Sequence, residues 1–160
     1  MLRNVHADDA AAICEIYNHY ILHSPATFEE VPLVPEEMRQ RILETTKSYP
    51  WFVWEEGGRA LGYGYGRQWR ERAAYRHSAE AGIYLHHAAI GKGGGSLLFD
   101  ALLNELRRRK FHCVMGGVSL PNPASIALLE KFGFHQVAHF LEVGYKFGQW
   151  IDVGYWQLVF

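Results

Sequence analysis

The stretch AEAGIYLHHAAIGKGGGSLLFD, residues 79–100, decides the interpretation of this chain. It has the pattern of an apolar strand, a short polar turn, a glycine-rich loop and a helix that begins near Ser96. Glycine reaches positive φ without strain and leaves its N–H groups accessible. A helix that begins beside such a loop adds unpaired N–H donors and the positive end of its dipole. The stretch therefore predicts an anion site, and phosphate is the anion that suits it best.

Length and composition predict one folded domain, residues 1–160, with 49% apolar residues and a net charge of -1. This charge gives no bulk attraction to nucleic acid or to an anionic membrane, so neither is expected as a partner. No stretch resembles a signal peptide or a membrane span, which predicts a soluble cytoplasmic protein. Cys14 and Cys113 are far apart and lack metal-ligand spacing, and we expect both to be buried and reduced. The nine histidines are scattered without ligand spacing, so no metal site is predicted.

Hydrophobic periodicity predicts an α/β (α+β) fold, a mixed sheet with helices on both faces. Four helices are predicted. The first follows Asp8 or Asp9, the second begins at Pro35, the third runs from the glycine loop to Lys110, and the fourth runs from Asn122 to Gly133. The predicted strands are Leu2–Val5, residues 51–55 and 60–68 as a hairpin, Ser78–Leu85, residues 112–120, Phe134–Val143 and Asp152–Phe160.

Two motifs resemble those of the GCN5-related N-acetyltransferase (GNAT) superfamily, and the resemblance covers essentially the whole chain. One is the strand, glycine loop and helix of residues 79–100; the other is N-x-x-S-I-x-L-x-x-x-F-G-F, residues 122–134. Further segments resemble the phosphinothricin acetyltransferase branch: IYNHYI (16–21), ATFE (26–29), YPW (49–51), Ala74-Tyr75 and VGYKFGQWIDVG (143–154).

The resemblance implies the GNAT fold, a mostly antiparallel sheet of about seven strands flanked by about four helices, and acetyl transfer from acetyl-CoA to a primary amine. In this superfamily the glycine loop binds the CoA pyrophosphate, and the preceding strand, splayed away from the strand at 112–120, pairs with the pantetheine arm. Ile90 stands where the superfamily usually has Gln or Arg, so one side-chain donor is missing. The residues implied as cofactor contacts are Ile83, Tyr84, Leu85, Gly91, Lys92, Gly93, Gly94, Gly95, Ser96 and Asn122.

The catalytic residue implied by the branch is Glu80. A carboxylate near the amine suits a general base, directly or through water. The alternative is a structural carboxylate that faces water or pairs with an arginine. Leu129 stands where other members carry a tyrosine that reprotonates the CoA thiolate. The thiolate then leaves unassisted, or receives help from Tyr84 or another tyrosine, and the sequence selects none of these.

The loop before Glu80 carries arginines whose guanidinium forks suit an anionic substrate. The branch pattern implies Arg70, Arg72 and Tyr75 as substrate contacts and Phe28 as an apolar wall, whereas Arg67 and Arg76 are expected to be surface charges. The implied substrates are phosphinothricin, methionine sulfoximine and methionine sulfone.

Two further features of the branch bear on the substrate and on assembly. Phe147 stands where some members that detoxify herbicides have histidine, which favours the sulfoximine and the sulfone. The branch also implies a homodimer in which the end of the chain helps to complete the neighbouring site.

The alternative functions are an acetyltransferase for polyamines, peptide N-termini or aminoglycosides, a CoA-binding module without catalysis, and a P-loop hydrolase. The arginine-rich loop argues against polycationic substrates. The P-loop is rejected because Lys92 precedes the triple glycine and is not followed by Ser or Thr.

Overall fold

The computed structural model describes residues 1–160. Seven strands form one sheet: β1 Leu2–Asn4, β2 Trp51–Glu56, β3 Arg59–Gln68, β4 Ser78–Leu85, β5 Cys113–Ser119, β6 His135–Lys146 and β7 Gln149–Val159. Their spatial order is β1-β2-β3-β4-β5-β7-β6, and every neighbouring pair is antiparallel except β4 and β5. The four helices are α1 Ala10–His23, α2 Pro35–Thr45, α3 Gly94–Arg108 and α4 Pro123–Lys131. The predicted fold class and element order are confirmed.

Two buried clusters lie on opposite faces of the sheet. Ile13, Ile21 and Met38 of α1 and α2 belong to one cluster, which also contains Tyr63 of β3. The second cluster lies beneath α3 and α4, where Leu102, Leu106, Leu129, Phe134 and Trp156 are buried.

The alternating glycines and tyrosines of β3 fit these two faces. A Cβ on Gly64 would contact Leu98 of α3, and a Cβ on Gly66 would contact Leu106. The glycines therefore let α3 approach the sheet closely, while the intervening tyrosines pack towards α1.

The closing hairpin departs from the prediction. Strand β6 continues to Lys146 and β7 begins at Gln149, so most of residues 144–151 is strand rather than a connection. The turn is only Phe147-Gly148, and both residues have positive φ, 53° and 72°. Cross-strand pairing with β7 extends β6 beyond the predicted end at Val143. The helix after the glycine loop also begins two residues earlier than predicted, at Gly94.

The parallel pairing of β4 with β5 is short and opens a cleft. Only Ser78, Ala79 and Glu80 pair with β5, whereas β4 stays paired with β3 as far as Leu85. Beyond Glu80 the two strands diverge, which confirms the predicted splay. The edge of β4 that faces β5 is therefore left without a strand partner.

Cys14 and Cys113 are buried and form no disulfide, as predicted. None of the four helices has the length and apolar composition needed to cross a membrane.

Candidate active site

The splay between β4 and β5 forms a cleft of about 360 Å³. Ile83, Tyr84 and Leu85 line one wall, and Gly116 to Ser119 line the other. An unpaired strand edge offers N–H and C=O groups to an extended ligand in the way that a neighbouring strand would. The cleft therefore has the shape and hydrogen-bonding groups for a linear, amide-containing arm.

The glycine loop lies at one end of this cleft. Gly91 and Gly93 have φ of 83° and 84°, and Gly93 is the N-cap of α3. A Cβ on Gly94 would overlap the ring of Trp54, so only glycine allows the helix to begin here. The first N–H groups of α3, at Gly94, Gly95 and Ser96, have no intrahelical partner. Gly95 lines the cleft, so this end of the helix faces it with unpaired donors and a partial positive charge.

The loop residues that were predicted to contact the cofactor differ in their exposure and in their partners. Gly91, Lys92 and the hydrophobic Ile90 are exposed, and Ile90 lines the cleft. The ammonium group of Lys131, at the end of α4, donates a hydrogen bond to the Ser96 hydroxyl at 2.8 Å. A cation therefore lies beside the loop although the superfamily's usual donor at position 90 is missing.

Asn122 is the N-cap of α4 and also lines the cleft. Its Oδ1 accepts a hydrogen bond from the Ser125 backbone N–H at 3.1 Å, which satisfies one of the first donors of the helix. The structure therefore shows the capping role, and a contact with CoA stays a prediction.

Glu80 lies at the point where β4 and β5 diverge. Its side chain is 13% exposed, and it lines both the cleft and a second cavity of about 880 Å³. Arg67 Nη2 donates a hydrogen bond to Glu80 Oε1 at 2.8 Å. A structural role for Glu80 would require an arginine partner, and Arg67 is that partner. The Glu80 carboxylate also faces both cavities.

Arg67 is exposed, as expected for a surface charge, but it also lines both cavities and pairs with Glu80, a role that the sequence did not predict. Burial opposes the Arg67 charge, yet the adjacent Tyr65 and Glu80 raise its pKa above the ordinary value. It therefore stays cationic beside the carboxylate. The signal that would have found it is register: Arg67 lies directly opposite Glu80 across the β3–β4 pair, so both side chains project from one face.

The second cavity has apolar and charged walls and reaches the loop between α1 and α2. Phe28 and Arg70, both predicted substrate contacts, line it with Phe140, Val143 and Tyr155. The Arg70 guanidinium lies over the Trp69 ring, 5.0 Å from its centroid. Arg72 and Tyr75 are exposed at a short 3₁₀ turn, Ala73–Tyr75, and do not line the cavity.

Lys146 organises the loop that carries Phe28, and sequence reasoning missed it. Its buried ammonium donates to the carbonyl oxygens of Ser24 and Thr27, both at 2.7 Å, and lies 3.4 Å from that of Tyr20. Burial lowers the pKa of Lys146. The Phe28 ring packs on the neighbouring Gly144, where a Cβ would overlap it. A lysine flanked by strand residues that are otherwise apolar was the available signal.

A second ion pair anchors the same loop to α2. Arg41 donates two hydrogen bonds to the Glu29 carboxylate, at 2.9 and 2.5 Å. These bonds hold the pKa of Glu29 below its ordinary value, and Glu29 also lines the second cavity. Tyr17 shares a hydrogen bond with Thr27 at 2.7 Å. Each of these contacts helps to fix the part of the second cavity wall that the Phe28 loop forms.

Three tyrosines, Tyr20, Tyr65 and Tyr84, line the cleft. Tyr20 donates its hydroxyl to the Leu85 carbonyl oxygen at 2.7 Å. Burial raises the pKa values of Tyr65 and Tyr84, so both keep their protons at neutral pH. Leu129 is buried against Gly116 and presents only methyl groups there. Tyr65 and Tyr84 therefore both carry a proton beside the cleft, whereas Leu129 offers none.

No group of three or more His, Cys, Asp or Glu side chains is arranged to hold a metal ion.

Comparison with known proteins identifies the family of this chain. A model described as the acetyltransferase (GNAT) family matches residues 13–134. The chain belongs to this family.

Relatives of this GNAT chain are similar over nearly its whole length. Phosphinothricin N-acetyltransferase of Streptomyces viridochromogenes is 36% identical, over 98% of this chain and 85% of that protein. The L-methionine sulfoximine/L-methionine sulfone acetyltransferase of Salmonella typhimurium is 38% identical, over 94% and 88%. A Salmonella typhimurium acetyltransferase, solved with its cofactor acetyl-CoA, has a TM-score of 0.97 at 35% identity and covers 99% of this chain and 92% of its own.

The family confirms that the chain is an acetyltransferase of the GNAT type and that its predicted cofactor, acetyl-CoA, is one that similar structures hold. The roles proposed below for individual residues rest on the geometry described above.

Proposed function

We propose that the protein transfers the acetyl group of acetyl-CoA to the α-amine of a small amino acid of the methionine sulfoximine, methionine sulfone or phosphinothricin type. One observation carries this proposal: Glu80 lies where the cofactor cleft meets a separate cavity with both apolar and cationic walls. A base at that junction can reach an amine held in the second cavity. The named activities of the similar proteins support the same substrate class.

The residues of the cleft fit acetyl-CoA. The β4 edge at Ile83 to Leu85 suits the amides of the pantetheine arm, and the donors of Gly94 to Ser96 suit the pyrophosphate. Lys131, Lys92 and Asn122 add polar groups beside the loop. When bound, acetyl-CoA supplies a thioester carbonyl carbon for attack by the amine.

Glu80 has one chemical task in this proposal. An α-amine at neutral pH is mostly an ammonium ion and cannot attack until it loses a proton. The Glu80 carboxylate takes that proton, directly or through water. The nitrogen then forms a bond to the acetyl carbon and gives up a second proton, which balances the proton that the leaving sulfur takes up. The sulfur leaves with the electron pair of the broken C–S bond. Tyr65 and Tyr84 both carry protons beside the cleft and are candidates to protonate the thiolate.

The second cavity suits an amino acid with a partly apolar side chain and a polar head. Phe28, Phe140 and Val143 provide apolar walls, and Arg70 provides a cation. We assign Phe28 and Arg70 to substrate binding on this basis. Arg72 and Tyr75 keep the role that the branch pattern implies for them, although both lie on the exposed turn. Free buried thiols and the absence of a membrane-spanning helix suit a cytoplasmic location.

A homodimer through the β6–β7 hairpin is part of the proposal. The hairpin exposes an apolar surface, which we call the hairpin patch: Phe140, Leu141, Val143, Tyr145, Phe147 and Trp150. Leu141 is 76% exposed and Trp150 is 64% exposed, which is costly for a monomer. Phe140 and Val143 also line the substrate cavity, so a partner covering the patch would help to enclose that cavity.

The dimer is tested by sedimentation. Leu141→Glu with Trp150→Glu should convert a dimer to a monomer, because charges in an apolar interface lose their hydration. The control is Leu22→Glu, on an exposed position of α1 outside the patch. A wild-type monomer, or a dimer that survives the double substitution, would contradict this interface.

The substrate proposal is tested with an amine panel: methionine sulfone, methionine sulfoximine, phosphinothricin, spermidine and a peptide with a free N-terminus. Thiol release from acetyl-CoA gives the rate, and mass spectrometry identifies the product. We expect acetylation of the amino acids at the α-nitrogen, with the sulfone and sulfoximine ahead of phosphinothricin. Efficient acetylation of spermidine or the peptide with none of the amino acids would overturn the substrate class. Absence of thiol release with every amine would favour a non-catalytic CoA-binding role.

A further inference from the structure

We propose that Arg67 is a specificity-determining residue that selects a zwitterionic amino-acid substrate by exchanging ion pairs. In the free enzyme Arg67 pairs with Glu80. When the substrate binds, its carboxylate forms an ion pair with Arg67 and its ammonium group forms an ion pair with Glu80. The inference rests on the proposed function, and it adds the requirement for a carboxylate next to the amine.

The Arg67–Glu80 ion pair can separate by a movement of the Arg67 side chain alone. Its contact is single, Nη2 to Oε1 at 2.8 Å, so the other guanidinium donors are left for a second acceptor. The Arg67 side chain is 54% exposed, whereas that of Glu80 is 13% exposed. Arg67 therefore has room to turn into the cavity while Glu80 stays in place at the junction.

The other charged groups of the cavity already have partners. Glu29 receives both of its hydrogen bonds from Arg41, and this pair ties the Phe28 loop to α2. The Arg70 guanidinium lies over the Trp69 ring. Arg67 and Glu80 are thus the pair of opposite charges whose members both face the two cavities and bind only each other.

An α-amino acid matches this pair because its ammonium and carboxylate are attached to one carbon. Exchange replaces one ion pair with two, so no buried charge is left without a partner. An amine without a carboxylate must separate Glu80 from Arg67 and leave a guanidinium next to its own ammonium. Like charges held this close oppose binding. The same exchange frees Glu80 from Arg67 when the ammonium proton is ready for transfer.

The proton and charge balance of the exchange is complete. Arg67 keeps its proton throughout, since its pKa is raised, and moves from one carboxylate to another. Glu80 receives one ammonium proton and becomes a carboxylic acid, and the neutral amine attacks the thioester. The nitrogen loses a second proton as the C–S bond breaks, and this proton balances the one that the leaving thiolate takes up to become the CoA thiol. After transfer the product amide carries no positive charge, so Glu80, once it loses the proton to water, can pair with Arg67 again.

The experiment compares L-methionine sulfone with its α-amide, which has the same amine and side chain but no carboxylate. It uses wild type, Arg67→Gln, Arg67→Lys and the control Arg76→Ala, whose side chain bonds the Ala73 carbonyl oxygen outside the cavity. The measured quantity is the ratio of kcat/KM for acid to that for amide. Because each variant is measured with the same two compounds, the difference in their intrinsic amine basicity cancels between variants.

We expect wild type and Arg76→Ala to prefer the acid by roughly tenfold or more. Arg67→Gln should remove most of that preference by raising KM for the acid and lowering KM for the amide, with KM for acetyl-CoA unchanged. Arg67→Lys should restore part of the preference, because the ammonium keeps the charge but not the fork. Melting temperatures identify any variant that fails to fold, and the lysine variant then carries the test.

Two outcomes would overturn the inference while leaving the proposed function intact: wild type that uses acid and amide equally, or Arg67→Gln that keeps the wild-type ratio. Wild type that acetylates neither compound would overturn the proposed function itself. The two failures are therefore distinguishable in one set of measurements.

Discussion

The proposed cofactor half and the proposed substrate half of the active site are built in different ways. The cofactor half consists mainly of backbone: the β4 edge, the bare glycines and the first turn of α3. The substrate half consists of side chains from the α1–α2 loop, β3, β4 and the β6–β7 hairpin. Backbone donors do not depend on the identity of the side chain that carries them. Side-chain walls change with every substitution.

This difference explains which departures from the family pattern matter. Ile90 removes one side-chain donor from the cofactor half, but the amides of α3 and the nearby Lys131 remain. In the substrate half, one arginine on β3 places a cation directly on the proposed base. In this proposal the backbone half binds the acetyl donor, and the side-chain half selects the amine that is acetylated.

The largest expected effect is at the junction of the two halves. Glu80→Gln should lower kcat by about 10²–10⁴-fold, because a glutamine cannot accept the amine proton. Acetyl-CoA affinity, measured by calorimetry, should be unchanged, since the cofactor half is left intact. The control is Glu105→Gln on α3, where the carboxylate pairs with Arg108 and Arg109 away from the cleft. A Glu80→Gln enzyme with the wild-type rate at neutral pH would reassign Glu80 to a structural role.

A matched pair of glycines tests the backbone half. Gly93 and Gly148 have similar positive φ values, 84° and 72°, and a Cβ on either meets nothing within 4 Å. Substitution by alanine should therefore cost both variants about 1–2 kcal/mol of stability. Only Gly93→Ala should also weaken acetyl-CoA binding, by roughly tenfold, as the loop shifts to relieve the strain. Equal acetyl-CoA affinities in two equally destabilised variants would show that the loop geometry does not matter.

Lys146→Met tests how the substrate half is held. The buried carbonyl oxygens of Ser24 and Thr27 would lose their donor, which costs about 1–3 kcal/mol in the free energy of unfolding. The loop that carries Phe28 should loosen, so KM for the amino acid should rise while KM for acetyl-CoA stays constant. Lys47→Met, at an exposed position after α2, is the control. A variant as stable as wild type in urea unfolding would contradict the anchoring role.

The smallest expected effect is the pH dependence of the Glu29–Arg41 tie. The pKa of Glu29 is lower in the folded protein than in the unfolded chain, so the tie stabilises the fold above the ordinary value of 4.5. That contribution is lost as pH falls below this value. The Arg41 side chain is 44% exposed and that of Glu29 is 35% exposed, so solvent screening limits the contribution of this ion pair to under about 1 kcal/mol. Arg41→Gln should lose less stability on acidification than wild type; an identical pH profile would show that the tie contributes nothing.

The sequence predicted the backbone half better than the side-chain half for a physical reason. Glycines, a helix start and an apolar strand are local signals, and residues 79–100 carry all of them. Arg67 and Lys146 act on partners 13 residues and about 120 residues away, so only strand register and tertiary contacts reveal their roles. The extent of the closing hairpin was missed for the same reason, since pairing with β7 defines it.

The separation of the two halves is tested most directly by one kinetic comparison. Gly95→Val adds a side chain to the cofactor half at a position where the nearest atom to its Cβ, on Leu128, lies 3.5 Å away. Arg70→Ala removes a cation from the substrate half. In one assay with acetyl-CoA and L-methionine sulfone, Gly95→Val should raise only KM for acetyl-CoA, and Arg70→Ala only KM for the amino acid. Variants that each raise both constants to the same extent would contradict the division of the site into two independent halves.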